Sequence, residues 1–517
     1  MNTNRGNILW IDDEIDHLKP HRMVLEEKGF EVICASNGPD GVELIKSHSV
    51  DLVLLDQFMP GMDGMDTLRE IKLVRPTLPV IMITKSEEEW LMDEAIYEKV
   101  AQFLIKPVNP TQIYMACKQV LEESGIRAER ATSGFLKAFS LLEENIRRAE
   151  TLEDWWQIYS ELVHWQLEFD DHPDHELGDI LREQVQTANR EFLPWILETY
   201  PTLLDRPAEA PLSPAVFQRY VLPPLQNGPV CFLIIDSLRY DHFMALQQEL
   251  GALFDLQVSC QMSILPSATP FSRNAIFSGL FPDEFTSKYP RQKDAFLEHA
   301  PSLNRLEEQF LTDQLKRLGQ TSTSVHYHKI WKAEEGQRFA ARLNEFLHVD
   351  LLALVVNFVD ILAHKRAESD VLMEMVPDES GYRTTVKTWY QNSWLSRTLK
   401  QLADHGTTVV LTSDHGSIRV QRGAVVGADK EASVGIRYKY GRNLNCKDRS
   451  ALVIRKPADF RLPDFGPQTT YLIAKDDIYF LYPTQYHRYH NLYKDSFQHG
   501  GISLEELLVP VVTMRPR

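Results

Sequence analysis

The first 122 residues mix two periodicities. Unbroken apolar runs, NILWI, EVICA, DLVLL, PVIMI and QFLI, alternate with stretches whose apolar residues recur at helical spacing. The runs predict strands buried on both faces and the stretches between them amphipathic helices, so this part should form βα units around a parallel sheet. After residue 125 the strand-like runs cease. FLKAFSLLEENIRRAETLEDWWQIYSELVHWQLEF and DILREQVQTANREFLPWILETY keep helical spacing throughout. They predict a bundle of about three helices over 125–205, with Trp155, Trp156 and Trp165 as packing surface. The proline-rich RPAEAPLSPAVFQRYVLPPLQNGP, 206–229, reads as a linker or irregular lead-in. From 230 a second βα series begins, with VCFLII, LLALVVNFV and TTVVLT as strands. The expected architecture is multidomain α/β: a doubly wound domain over 1–122, an all-α bundle, the linker, and a second α/β domain over 230–517.

In an open parallel sheet the carboxyl ends of the strands form the ligand crevice. Five polar residues fall there in the first domain. Asp12 and Asp13 follow NILWI, Asp56 follows DLVLL, Thr84 ends PVIMI, and Lys106 follows QFLI. Three carboxylates held close repel one another unless a divalent cation sits among them, and a hard cation such as Mg2+ suits all-oxygen ligands. A hydroxyl and an ammonium beside them can hold the oxygens of a phosphoryl group carried on one carboxylate. Any one of these residues alone reads as a helix cap or a surface charge. All five at strand tips point to a phosphate switch.

WIDDE, LLDQFMPGMDG, the threonine of MITKSEEE and the lysine-proline of FLIKP resemble, in order and spacing, the receiver domain of two-component response regulators, whose fold is flavodoxin-like. The resemblance implies that Asp56 accepts a phosphoryl group from a sensor histidine kinase. It implies that Asp12 and Asp13 bind Mg2+ with Asp56, that Thr84 and Lys106 sense the phosphoryl group, and that Phe103 is the switch aromatic. Lys85 departs from the small residue usual after the threonine. Phosphorylation is expected to bias one face of this domain toward pairing as a twofold homodimer.

No helix-turn-helix pattern with a basic face follows, so sequence-specific DNA binding is not expected. Instead the second half carries its own ligands at strand tips. Asp236 follows CFLII; Asp360 follows ALVVNFV, with His364 four residues later; Asp414 and His415 close VVLT; His499 stands in QHGG. Mixed Asp and His ligands suit zinc or manganese better than calcium. The Asp360–His364 spacing puts both side chains on one face if a helical turn follows the strand, and Gly416 lets the chain turn both Asp414 and His415 inward. His326, His328, His487 and His490 read as polar surface. In PSATPFSRNAIFSG, Thr269 precedes Pro270 where a helix should start. That is also the pattern of a plain N-cap, but among six metal-type ligands a coordinated threonine alkoxide would be a competent nucleophile.

IIDSLRYD, PSATPFSRNAIFSG, DILAH, SDHG and QHGG, in this order over roughly 230–510, resemble the alkaline phosphatase superfamily and within it the PglZ-type domains. The resemblance implies two Zn2+. Asp360, His364 and His499 would hold one, and Asp236, Asp414 and His415 the other, with Thr269 beside it as ligand and nucleophile. Arg239 and Arg273 are candidates for the remaining phosphate oxygens. The implied activity is that of a hydrolase, a metal-dependent phosphodiesterase or phosphatase acting on nucleotides or oligonucleotides. Receiver, helical spacer and PglZ-type domain in succession resemble response regulators tied to type IX secretion.

Charge and composition trim the remaining classes. A net charge of −18 argues against a dominant electrostatic grip on DNA or on an anionic membrane. LLALVVNFVDILA is too short and too polar to span a bilayer, so no membrane insertion is expected, and MNTNRGNILWIDDE lacks the apolar run of a signal peptide. Five cysteines, at 34, 117, 231, 260 and 446, form no CxxC pair and read as reduced thiols, so the expected location is cytoplasmic. A rival reading makes the second half a non-catalytic scaffold that binds a transcription factor, such as a sigma factor, when Asp56 is phosphorylated.

Overall fold

The computed structural model describes residues 5–85, 100–171, 175–206, 210–300, 302–427, 435–446, 449–483 and 486–517. The chain forms two compact units, 1–137 with 171–173, and 138–170 with 174–517.

In the first unit all five predicted strands are present: β1 (Asn7–Ile11), β2 (Glu31–Ala35), β3 (Leu52–Asp56), β4 (Val80–Thr84) and β5 (Gln102–Ile105). They pair in parallel in the order β2-β1-β3-β4-β5. The apolar runs are unbroken because both faces are covered. Leu9, Ile11, Val53, Leu55 and Met82 enter one core, while Ile8, Trp10, Leu54, Ile81 and Ile83 enter the other. The helix that follows β5 does not stop at the expected boundary near 122. It runs continuously from Pro110 to Arg148, so the first helix of the predicted bundle is an extension of the last helix of the first domain.

Two further helices complete the bundle, Leu152–Asp171 and His175–Asp205. Trp155 is buried edge-on against Phe192, with ring centroids 5.2 Å apart. Trp156 packs 4.5 Å from Tyr240 of the second α/β domain, within the same unit. Residues 210–229, within the stretch 206–229 expected as linker or irregular lead-in, form short helical turns. Leu212, Val216, Phe217 and Val221 are wholly buried in the second unit. Proline sets the local backbone here, and the apolar residues between the prolines supply the burial.

The main sheet of the second unit has strands β6 (Val230–Ile235), β7 (Phe254–Met262), β8 (Val325–Ile330), β9 (Leu351–Val356), β10 (Thr408–Thr412) and β11 (Leu508–Pro516), in the order β7-β11-β10-β6-β9-β8. Strands β10, β6, β9 and β8 are parallel, and β11 runs antiparallel to both β10 and β7. The carboxyl ends of β10, β6 and β9 therefore lie side by side. Among the described residues, no helix is long and apolar enough to cross a membrane.

Candidate active site

In the first unit the strand tips bring Asp12, Asp13 and Asp56 together, with carboxylate oxygens within 4.8 Å of one another. Asp12 and Asp56 are buried and Asp13 is exposed. Lys106 reaches back from the end of β5 to Asp12 Oδ2 at 3.0 Å and Asp56 Oδ1 at 2.7 Å. Burial pushes the Asp56 carboxyl up, and Asp12 and Asp13 add to this against the pull of Lys106. Thr84 is buried at the tip of β4, and Lys85 stands 4.0 Å from Glu14. Phe103 is half-buried and packs on the sheet core. The arrangement is a carboxylate cluster with one cation already in place and room in its chemistry for a second.

The second unit assembles two more clusters. Asp236 directly follows β6, and Asp414 and His415 follow β10 in the next strand of the sheet; these three form one group, with ligand atoms within 4.8 Å. The helix Phe358–Arg366 begins two residues after β9 and carries Asp360 and His364 one turn apart. His499 joins them from the loop after the short strand Phe497–Gln498, completing the second group. Asp360 Oδ1 lies 3.4 Å from His364 Nε2 and 3.5 Å from His499 Nε2. The rings of His415 and His499 stack 4.0 Å apart, so the two groups are contiguous. Their exposure differs: the His364 side chain is 43% exposed, whereas Asp414 and His415 are fully buried. The site opens on the Asp360 side.

Electrostatics inside this cleft are unbalanced without a cation. Among the described residues, Asp236 Oδ1 and Asp414 Oδ2 are buried and meet no hydrogen-bond donor. Leaving buried carboxylate oxygens without a protein donor is costly. Burial, with Asp414 and Asp360 alongside, drives the Asp236 carboxyl well above its ordinary range despite Arg273. Burial and the neighbouring His415 hold His499 well below an ordinary imidazole. Burial alone would raise Asp360 too, but His364, whose imidazole Asp360 in turn pushes up, holds it well below the usual carboxylate range. The donor set, oxygens with imidazoles and no thiolate, fits a zinc-type cation.

Thr269 opens the helix Thr269–Ser278, but Ala268 occupies the capping position and no side chain caps the helix. The threonine hydroxyl instead lies 3.0 Å from His415 Nε2. The plain N-cap alternative is thereby removed. The Asp414–His415 turn is held from behind: Ser263 Oγ donates to the Asp414 carbonyl at 2.7 Å, and Ser413 Oγ donates to the His415 carbonyl at 2.7 Å. Gly416 is required by contact, since a Cβ there would lie 1.9 Å from the Glu505 carbonyl oxygen.

The two arginines expected to meet phosphate are committed elsewhere. Arg273 is buried, pairing with Asp236 Oδ2 at 2.6 Å and Glu307 Oε1 at 2.7 Å, with Asn357 Oδ1 at 3.2 Å. It supports a ligand carboxylate from behind. Arg239 is buried among Asp241, Glu379 and the Ser417 carbonyl. Glu307 and Asn357 carry no local signal, because nothing in their neighbourhood marks them as partners of Arg273. His326 stacks 4.0 Å from Phe346, and His490 Nδ1 lies 2.6 Å from the Tyr479 hydroxyl; both belong to packing, not to the clusters.

Residues 216–514 match the BREX system PglZ alkaline phosphatase-like domain. The chain belongs to the PglZ alkaline phosphatase-like family. Residues 8–118 match the response regulator receiver domain and 125–204 the PorX response regulator linker domain, and the three in this order make the chain a PorX-type response regulator. Among curated relatives, the transcriptional regulatory protein ZraR of Klebsiella oxytoca is 28% identical over 145 residues, 28% of this chain and 33% of that protein. The transcriptional regulatory protein ResD of Bacillus subtilis is 31% identical over 122 residues, 24% of this chain and 50% of that protein. The chain thus spans a third to a half of these relatives. A solved response regulator receiver domain protein from Clostridium thermocellum is 32% identical, covering 23% of this chain and 98% of its own, with a TM-score of 0.23. The PglZ family membership rests on the second unit, and the receiver implies a phosphodonor such as a histidine kinase.

Proposed function

We propose that this chain is a zinc-dependent phosphodiesterase or phosphatase under the control of its receiver, phosphorylated on Asp56 by a sensor histidine kinase with Mg2+ held by Asp12, Asp13 and Asp56. One observation carries the reading. A partly exposed threonine hydroxyl stands 3.0 Å from an imidazole of one three-ligand group, which stacks on an imidazole of the other. A scaffold has no need of that hydroxyl in that place.

When bound by Asp360, His364 and His499 and by Asp236, Asp414 and His415, zinc would supply Lewis-acid polarisation of the phosphoryl oxygens and stabilise the attacking alkoxide. The protein's own part is to place and activate Thr269. Its Oγ1 would attack phosphorus, forming one P–O bond as the ester P–O bond breaks; the hydroxyl proton leaves to solvent and the departing oxygen is protonated from water. Water then cleaves the phosphothreonine and restores the hydroxyl. Arg273 would keep Asp236 aligned while burial of Asp414 and His415 excludes water from the inner pole. The substrate class favoured is nucleotides or oligonucleotides, and the setting a cytoplasmic regulator of type IX secretion. The test is a screen of zinc-loaded protein against phosphomonoesters, phosphodiesters and short oligonucleotides. Turnover of diesters or oligonucleotides is expected; no turnover of any ester would leave the scaffold reading, with a sigma factor as its partner.

A further inference from the structure

Arg239 holds a place that a substrate ligand could not. Its Nε donates to Asp241 Oδ1 at 2.8 Å, its Nη1 to the Ser417 carbonyl at 3.3 Å, and its Nη2 pairs with Glu379 at 2.6 Å. The guanidinium also lies 5.7 and 5.8 Å from the ring centroids of Tyr382 and Phe497. Ser417 follows Asp414, His415 and Gly416, and Phe497 stands two residues before His499. The segments Ile418–Arg419 and Phe497–Gln498 pair as antiparallel strands. One buried cation therefore backs both segments that bring the stacked imidazoles together.

The same cation is linked outward to the helical bundle. Asp241 also accepts from Arg383 Nη1 at 3.1 Å. Arg383 in turn makes a two-pronged pair with Asp170, at 2.6 and 2.8 Å, near the end of the helix Leu152–Asp171. The result is an unbroken row, Asp170–Arg383–Asp241–Arg239–Ser417. A second tie starts on the helix His175–Asp205. Asn189 accepts from the Leu504 amide at 2.8 Å and donates to the Glu505 carboxylate at 3.1 and 3.2 Å. The Glu505 carbonyl fills the space beside Gly416, whose amide donates to the Glu506 carbonyl at 3.1 Å. Both ties end on Gly416 and Ser417.

We infer that Arg239 and Arg383 are positioning residues that fix the Asp414–His415 turn according to the placement of the helical bundle. A buried, two-pronged ion pair tolerates loss of one partner poorly, because the other charge is left desolvated and pulls on its neighbours. Weakening Asp170–Arg383 draws Arg383 onto Asp241, loosens Asp241 from Arg239, and frees the Ser417 carbonyl. The consequence for turnover rests on the phosphoesterase reading, whereas the mechanical tie does not.

The test is hydrogen exchange on the full chain, comparing wild type, Asp170→Asn, Arg383→Ala and a control, Arg342→Gln, which removes an exposed pair with Glu345. Peptides covering 413–418 and 496–500 should exchange about tenfold faster in Asp170→Asn and Arg383→Ala, with the main-sheet strands unchanged, as expected for loss of a charge-assisted hydrogen bond. The same two variants should release metal to a chelator about tenfold faster and lose kcat more than they raise KM on bis(p-nitrophenyl) phosphate. Asp170 is partly exposed, so Asp170→Asn decides alone if Arg383→Ala does not fold. Wild-type exchange at 413–418 in a folded Asp170→Asn protein overturns the inference. A wild type that binds metal but hydrolyses no ester overturns the phosphoesterase reading and leaves the exchange result to stand or fall separately.

Discussion

Thr269 stands at the start of a helix yet caps nothing, and its hydroxyl lies against His415. Thr269→Ala should therefore lower hydrolysis by about 10^4 or more while leaving the fold and most bound metal in place, as for loss of a covalent nucleophile. Steady-state kinetics beside elemental analysis checks this, and full activity in the variant would leave water as the nucleophile. The six Asp and His ligands lead to a second expectation, about two zinc ions per chain, reduced in Asp360→Ala and in Asp414→Ala. Elemental analysis of dialysed protein decides it; metal content unaffected by either change would place the metal elsewhere. These residues were legible as sets, because carboxylates and imidazoles that recur at successive strand tips mark a site that no single one of them marks alone. The arginines were not. What a guanidinium does depends on its partners, and Arg273 finds Glu307, Arg239 finds Glu379, at sequence distances that no local pattern records.

Strands that are buried on both faces announce themselves as apolar runs, which is why β1, β3, β4, β6, β9 and β10 could be read directly, whereas the mixed FDLQVSCQM of β7 could not. Over 206–229 linker and irregular lead-in were both open, because the prolines carry the composition of a loop while apolar residues such as Phe217 and Val221 are buried. At the end of the receiver the helix runs on from Pro110 to Arg148, so the secondary structure has no break at the expected boundary. One short element supports a pH prediction. Burial lifts the Glu505 carboxyl from 4.5 to about 7, against Arg239 and Asn189. Between those values the unfolded chain has lost this proton and the folded chain keeps it, so the contribution to stability falls as pH rises across the window and is level above it. In Glu505→Gln that penalty should vanish. Relative to wild type, the variant should gain at most about 3 kcal/mol between pH 4.5 and pH 8, read as the difference in urea midpoints. An equal midpoint difference at both pH values would show that Glu505 does not titrate in this range.

For the molecule as a whole, the expectation concerns association. A phosphoryl group on Asp56 adds charge and acceptor oxygens beside Thr84 and Lys106, and the receiver face that responds should pair about a twofold axis. Sedimentation of the Mg2+-loaded protein with beryllofluoride should show dimer where the untreated protein shows less, and Asp56→Ala should not respond. The same monomer–dimer balance in all conditions would mean that the switch works without association. Within the second unit, the helical bundle is tied to Gly416 and Ser417 through Arg383 and Arg239 and through Asn189.

Strand β11 lies between β7 and β10, although it is made about 250 and 100 residues after them. During synthesis, β10 and the Asp414–His415 turn at its tip have no outer neighbour until residues 508–516 leave the ribosome. The receiver, whose five strands end at Ile105, is complete long before. At about 5–20 residues per second, the interval is some tens of seconds. For that time the nascent chain carries a finished receiver and no assembled cleft of Asp and His side chains, so the two units are completed one well before the other.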